Sequence, residues 1–191
     1  MANIVTIFFS GHGHTARLAQ AIHAAAADTA GAAAQLVAIS PEGEITDAEW
    51  ETLGAADAVL FGSPTYMGGP AWQFKKFADA SSKPWFSQAW KDKIAAGFTN
   101  SGSMNGDKGG TITYFVTLAM QHGMIWVGTG LRPASTKAAR HGDVNYLGGF
   151  TGALAASPSD ASAEEAPNEG DLQTGRLLAS RVAEYAVRTR G

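Results

Sequence analysis

No cysteine occurs anywhere in the 191 residues. That absence excludes a disulfide framework, a thiolate zinc site, a cysteine nucleophile and a cysteine-ligated iron–sulfur cluster. Charge is also scarce: 14 Lys and Arg against 17 Asp and Glu give a formal net charge of −3, and only 16% of residues are charged. With no basic face to displace counterions, the chain offers no surface for nucleic acid. Long hydrophobic runs are missing too. The apolar run near the N-terminus, Ile4–Phe9, is too short for a signal h-region or a membrane span, and no lysine or arginine precedes it. No G-x-S-x-G elbow supports a hydrolase. His12 and His14, two apart with no carboxylate beside them, make a poor metal pair, so no metal is expected. These absences predict a soluble cytoplasmic protein whose residues 1–191 form one domain, large enough to bury roughly 70% of the surface its unfolded chain exposes.

Glycine and apolar residues are plentiful, with 23 glycines and 45% hydrophobic residues. Short apolar, β-branched or aromatic runs recur at Ile4–Phe9, Gln35–Ile39, Ala58–Phe61, Ile94–Phe98 and Met124–Val127. Helical patterns lie between them. Residues 15–27 place Leu18, Ala19, Ile22 and Ala26 on one face. Thr46 and Glu49 form a capping box, residues 71–79 and 110–121 continue the alternation, and residues 170–188 turn Leu172, Leu178, Val182 and Tyr185 toward a core. Nearly continuous apolar strands separated by helices predict an α/β fold, a doubly wound, five-stranded parallel sheet with helices on both faces. Two stretches interrupt the alternation: residues 81–92, which insert Trp85, Phe86 and Trp90, and the Gly/Pro/Ser-rich connection 128–168.

In an open parallel sheet ligands bind beyond the carboxyl ends of the strands. After the first strand comes Ser10-Gly11-His12-Gly13-His14-Thr15-Ala16. Its glycines let a helix N-terminus approach an anion closely, and Ser10 and Thr15 add hydroxyls. No lysine follows, so it is not a P-loop. The loop also matches G-x-G-x-x-A, yet the second strand ends at Ile39-Ser40 without the carboxylate a dinucleotide site needs. A monophosphate ester such as that of FMN suits it better; an ordinary glycine turn is the bland alternative. After the third strand, Gly62-Ser63-Pro64-Thr65-Tyr66-Met67-Gly68-Gly69-Pro70 forms a rigid loop that can face a flat heteroaromatic ring. After the fourth, residues 99–110 (Thr99, Asn100, Ser101, Gly102, Ser103, Met104, Asn105, Gly106, Asp107, Lys108, Gly109, Gly110) are rich in free amides and hydroxyls.

These three loops, together with Leu118-Ala119-Met120-Gln121-His122-Gly123-Met124, resemble the flavodoxin-like NAD(P)H:quinone oxidoreductases of the WrbA type. The resemblance implies FMN as cofactor and NADH or NADPH as donor. It places Ser10, Gly13, His14, Thr15 and Ala16 at the flavin phosphate. Pro64, Thr65, Tyr66, Met67 and Gly68 would line the ring, and Asn100, Ser101, Gly102, Ser103, Asn105 and Gly106 would complete the flavin loop. His122 and Tyr66 are the expected catalytic residues, with His122 also a flavin contact, near the ring at the substrate cavity. Trp85 would approach a neighbouring subunit in a homodimer or homotetramer. The chain carries Tyr66 where the family often has arginine and Gly69 where it often has asparagine. The implied reaction is two-electron reduction of a quinone in a ping-pong cycle of hydride transfer, with the flavin doing the redox chemistry. An electron-carrier flavodoxin, a reductase releasing reduced FMN and a regulator that has lost its flavin are the alternatives.

Overall fold

The computed structural model describes residues 1–190. The elements in chain order are β1 (Ala2–Phe8), α1 (His14–Ala27), β2 (Ala32–Ala38), α2 (Asp47–Ala55), β3 (Ala58–Tyr66), the two-residue β4 (Gly69–Pro70), α3 (Trp72–Ala80) and α4 (Ser82–Phe86). They continue with β5 (Ile94–Ser101), α5 (Lys108–Gln121), β6 (Ile125–Trp126), β7 (Ala153–Ala156) and α6 (Glu169–Thr189). The main sheet is parallel in the order β2-β1-β3-β5-β6, with β7 also on β5 and β4 folded back antiparallel on β3.

Alternation along the strands supplies both faces. Ile4 and Phe8 of β1 and Leu60 of β3 join the core under α1 and α6, while Val5, Ile7, Val59 and Phe61 join the core under α2, α3 and α5. Each fully buried side chain of this kind is worth about 1.5–3 kcal/mol, so the strands read as unbroken apolar runs because neither face meets water.

Two expectations need correction. The third and fourth strands run further than their apolar runs: β3 continues through Pro64 and Thr65 to Tyr66, and β5 through Thr99 and Asn100 to Ser101. Ladder pairing carries them on, with Pro64 beside Asn100 and Asn100 beside Ala155. The expected fifth strand at Met124–Val127 is only half of an edge. Ile125–Trp126 pairs with Ile94–Ala95, and Ala153–Ala156 pairs with Phe98–Ser101 further along the same strand. The chain leaves the sheet after Val127 and returns beside its exit, where the Thr129 amide donates to the Phe150 carbonyl at 2.9 Å and Trp126 Nε1 to the Thr151 carbonyl at 2.8 Å. Residues 128–152 are thus an insertion inside one strand position. The aromatic cluster of 81–92 also divides: Trp90 is buried in the core beside Trp50 and Phe77, while Trp85 and Phe86 are exposed on α4.

The helix starts differ in what meets their first amides. Thr46 and Glu49 close a capping box on α2, and the Asn168 side chain accepts from the Asp171 amide at the start of α6. α1 and α5 begin at Gly13 and Asp107 in left-handed conformations, neither residue capping with its own side chain and neither first turn carrying an acidic residue; Ser10 Oγ takes the Ala16 amide of α1, and the Asn105 and Asp107 carbonyls take the Lys108 and Gly110 amides of α5. Both start at the carboxyl edge of the sheet. Among the described residues no helix is long and apolar enough to cross a membrane.

Candidate functional site

A cavity of about 530 Å³ opens at that edge, lined at one end by His12, His14 and Thr15 and at the other by Pro64, Thr65, Tyr66, Asn100, Ser101 and Gly102. A second depression shares Thr65, Ser101 and Gly102 and extends over Met67, Gly68, Ser103, Gly106 and Asp107. The first volume lies within the range of small-molecule sites.

The end of the cavity at α1 is made from backbone. Ser10 Oγ accepts from the Ala16 amide at 3.1 Å, which fixes the turn around the start of α1. Gly13 has φ of 87°, and a Cβ there would lie 2.6 Å from the Ala163 Cβ. The segment that crowds it is the roof. His14 Nε2 lies 2.9 Å from the Ala161 carbonyl, and Arg17 donates to the carbonyls of Ala163 and Glu164. A carbonyl only accepts, so His14 carries its proton on Nε2. Ser157, Ser159 and Ala161 line the cavity from this roof.

At the other end hydroxyls lock the strand tips together. Thr99 Oγ1 donates to the Ser63 carbonyl at 2.7 Å, so it accepts from Thr65 Oγ1 at 2.8 Å, which in turn accepts from Thr111 Oγ1 at 2.7 Å. Each hydroxyl has one proton, and this chain uses all three; Thr65 offers a ligand only lone pairs and its methyl group. Asn100 Oδ1 accepts from Ser157 Oγ at 2.8 Å, which leaves the Asn100 Nδ2 hydrogens as donors for the cavity. Tyr66 is 40% exposed, its ring set edge-on to His12 at 6.3 Å. Partial burial pushes the Tyr66 phenol up, so it keeps its proton at neutral pH and is a donor, not a base. Met67 is fully exposed beside it at φ 50°. Gly110, in the first turn of α5, approaches the Gly68 carbonyl so closely that a Cβ would sit 2.2 Å from its oxygen.

Of the expected residues, His14, Thr15, Pro64, Thr65, Tyr66, Asn100, Ser101 and Gly102 meet in the main cavity, and Met67, Gly68, Ser103 and Gly106 in its extension. Ser10, Gly13 and Ala16 shape the turn below, and Asn105 belongs to the same loop as Ser103. His12 and the roof residues join without having been assigned to the site. In the sequence His12 shows only as half of a poor metal pair with His14. The roof follows β7, and its one sequence signal is Ser157-Pro158-Ser159, a polar turn after a short apolar piece.

His122 does not join them. It follows the last residue of α5, a helix of 14 residues, and about 20 Å of helix at 1.5 Å per residue separates it from the cavity. There it is buried, with Nε2 2.9 Å from Ser81 Oγ and its ring 4.3 Å from Trp90. Ser81 gives its own proton to the Ala78 carbonyl at 2.6 Å, so His122 Nε2 is the donor, and its Nδ1 is buried without a partner. Charging the ring would put a proton on an atom with nothing to accept it, and burial brings its pKa down to about 4. The sign follows: the unfolded histidine titrates near 6.5 and binds the proton that the folded one refuses, so stability falls as pH drops from 6.5 toward 4. Urea unfolding at pH 7 and pH 4.5 is expected to show a loss of about 2–3 kcal/mol from this group, and His122→Gln to remove that part of the slope. A slope unchanged in the variant would refute the assignment.

Burial also pushes Asp171 up, opposed by the Ala156 amide, His141 and Lys108. Among the described residues no three His, Asp or Glu side chains gather to hold a metal ion.

A family model described as NADPH-dependent FMN reductase matches residues 4–138. A protein of Pseudomonas aeruginosa strain UCBPP-PA14 named flavodoxin FldP is 54% identical over 183 residues, 96% of either chain. A Geobacter sulfurreducens protein named NAD(P)H dehydrogenase (quinone) is 28% identical over 207 residues, covering 99% of this chain and all of that one. The crystal structure of a flavodoxin, WrbA-like protein from Agrobacterium tumefaciens is 45% identical, covers both chains fully and superposes with a TM-score of 0.79. The chain belongs to the NADPH-dependent FMN reductase family, as a flavodoxin-like protein of the WrbA type.

Proposed function

We propose that this protein is an FMN-dependent oxidoreductase that takes electrons from NADH or NADPH and delivers them two at a time to a quinone. The observation that carries it is one cavity with the free His14 and Thr15 amides of a helix N-terminus at one end and a polar slot edged by Tyr66 at the other. The anion end fits a phosphate monoester. Amides at the start of α1 and the Thr15 hydroxyl surround it, each bond to a charged oxygen being worth about 1.5–3 kcal/mol. Pro64, Thr65 and Tyr66 offer a surface for a ring, and Asn100 Nδ2 a donor to its edge. Bound FMN supplies the two-electron chemistry; the chain holds, orients and screens it. Tyr66, protonated at neutral pH, stands at the mouth where an acceptor oxygen would need a hydrogen bond. The exposed Trp85 and Phe86 belong to the same reading as a subunit contact in a homodimer or homotetramer, which sedimentation of the Trp85→Ala variant would test.

A second reading is an electron carrier that passes electrons to a protein partner. It is favoured by the 54% identical relative named a flavodoxin. An anaerobic titration of the FMN-loaded protein with NADH, and separately NADPH, decides between them. Bleaching of the visible flavin band, followed by full return on adding benzoquinone, is the expected result and names the donor. Flavin that binds but stays oxidised with both nucleotides would favour the carrier. FMN that bleaches and leaves the protein on gel filtration would favour a reductase releasing its flavin.

Thr15 is 2% exposed in the first turn of α1. Thr15→Ala is expected to raise the FMN dissociation constant about tenfold or more, since one bond to a charged oxygen is lost. Riboflavin, which lacks the phosphate, is expected to bind the variant unchanged. Equal FMN affinity in the variant and the unaltered protein would remove the phosphate assignment.

A further inference from the structure

Lys108 is the first residue of α5 and is 1% exposed. A cation at a helix N-terminus works against the helix dipole, and a buried ammonium is costly unless acceptors surround it. The acceptors here are three consecutive carbonyls of one loop. Nζ donates to Ser103 at 2.7 Å, Met104 at 3.0 Å and Asn105 at 3.3 Å. Those bonds use all three ammonium hydrogens. Burial, opposed by the charge of Asp171, brings this ammonium down to about 8.

A trans peptide points its C=O and N–H in opposite directions. Gathering the carbonyls of residues 103–105 onto one ammonium therefore turns the amides of Met104, Asn105 and Gly106 to the other side of the loop. None of the three meets a backbone acceptor among the described residues. Gly106 and Asp107, at φ 57° and 52°, then turn the chain into α5. Ser103 and Gly106 line the depression that continues the main cavity. Three successive amides without acceptors beside a ligand cavity form an anion-seeking concavity, and what organises it is a side chain behind the loop.

We infer that Lys108 is a positioning residue for the flavin ring: it presents the amides of residues 104–106, with a fixed positive charge behind them, to the electron-rich edge of the ring. The inference rests on the FMN reading above and assigns this lysine a part within it. Donors and charge placed there favour the oxidised ring moderately and the reduced, more electron-rich ring more strongly. Lys108 touches neither ring nor acceptor; it acts through the loop.

The test compares riboflavin and FMN affinities, followed by flavin fluorescence, and the two-electron potential of bound FMN, followed by dye equilibration. The proteins are the unaltered chain, Lys108→Met, Lys108→Gln and Thr15→Ala. Lys108→Met is expected to weaken riboflavin and FMN equally, about tenfold. It is expected to weaken reduced flavin about tenfold further, which is a potential about 30 mV more negative. Lys108→Gln keeps two donors without the charge, so it is expected to recover affinity for oxidised flavin but retain the shifted potential. Thr15→Ala, by contrast, is expected to move FMN alone. A folded Lys108→Met protein, judged by far-UV circular dichroism, with unchanged riboflavin affinity and potential overturns the inference. If Lys108→Met does not fold, an unchanged potential in Lys108→Gln overturns it instead. Failure of the unaltered protein to bind either flavin would overturn the FMN reading itself, a different result from loss in the lysine variants alone.

Discussion

Gly13→Val is expected to weaken FMN binding about 100-fold or more while changing riboflavin affinity far less. The backbone at Gly13 has φ of 87°, where a β-branched residue is strained, and such strain costs about 1–3 kcal/mol. Space is the second cost, because the new Cβ would overlap the Ala163 Cβ, 2.6 Å away. To relieve both, the turn must flatten and the roof must lift. Flattening moves the free His14 and Thr15 amides at the start of α1 off the phosphate position, and losing two bonds to a charged oxygen corresponds to about 3–6 kcal/mol. Lifting the roof breaks the His14–Ala161 bond and the two Arg17 bonds. Parallel titrations with FMN and riboflavin separate these consequences. FMN affinity within about threefold of the unaltered protein would mean that the phosphate does not sit at this turn. Equal losses for both flavins would mean that the whole cavity had collapsed.

Asp171→Ala is expected to cost about 3–5 kcal/mol of stability, in the range for breaking a buried charge network on one side. Asp171 lies in the first turn of α6 and is 1% exposed. Its Oδ2 accepts from the Ala156 amide at 2.9 Å and faces His141 Nε2 at 3.1 Å. One carboxylate therefore ties the end of β7, the insertion 128–152 and α6, and it is also the counter-charge to buried Lys108. Alanine leaves the Ala156 amide without an acceptor and releases the insertion. Asp171→Asn retains an oxygen for that amide and is expected to lose only about 1–2 kcal/mol. Urea unfolding at pH 7, followed by tryptophan fluorescence, measures both. A loss below about 1 kcal/mol in the alanine variant would show that the insertion holds its place without this anchor.

The alternation of strands and helices, the capping box at Thr46 and the three glycine- and hydroxyl-rich loops are legible in the sequence alone. Each is a local property: an apolar run buried on two faces, a side chain bonding an amide three residues on, a backbone that only glycine tolerates. The edge of the sheet was not legible. Ala153-Leu154-Ala155-Ala156 has little strand propensity of its own, and it is a strand because β5 offers it a ladder. Nor was the extent of β3 and β5 legible, since Pro64, Thr65, Thr99 and Asn100 carry turn and polar signals yet pair in register.

The site divides the same way. The chemistry of the cavity was present in residue types, with hydroxyls and glycines after β1 and a Tyr-Met pair after β3. What only tertiary structure decided is which of them face one space. Sequence separation hides the roof at 157–164 from Gly13, although their Cβ positions would collide. It also hides that α5 carries His122 a helix length away from the cavity and seals it against Ser81 and Trp90. A motif specifies the groups a segment can offer; the helix that follows it, and the elements packed on that helix, decide where those groups point. Lys108 shows the limit most plainly. In the sequence it is one charged residue in a glycine-rich loop, and only folding turns three carbonyls onto its ammonium and their amides away from it.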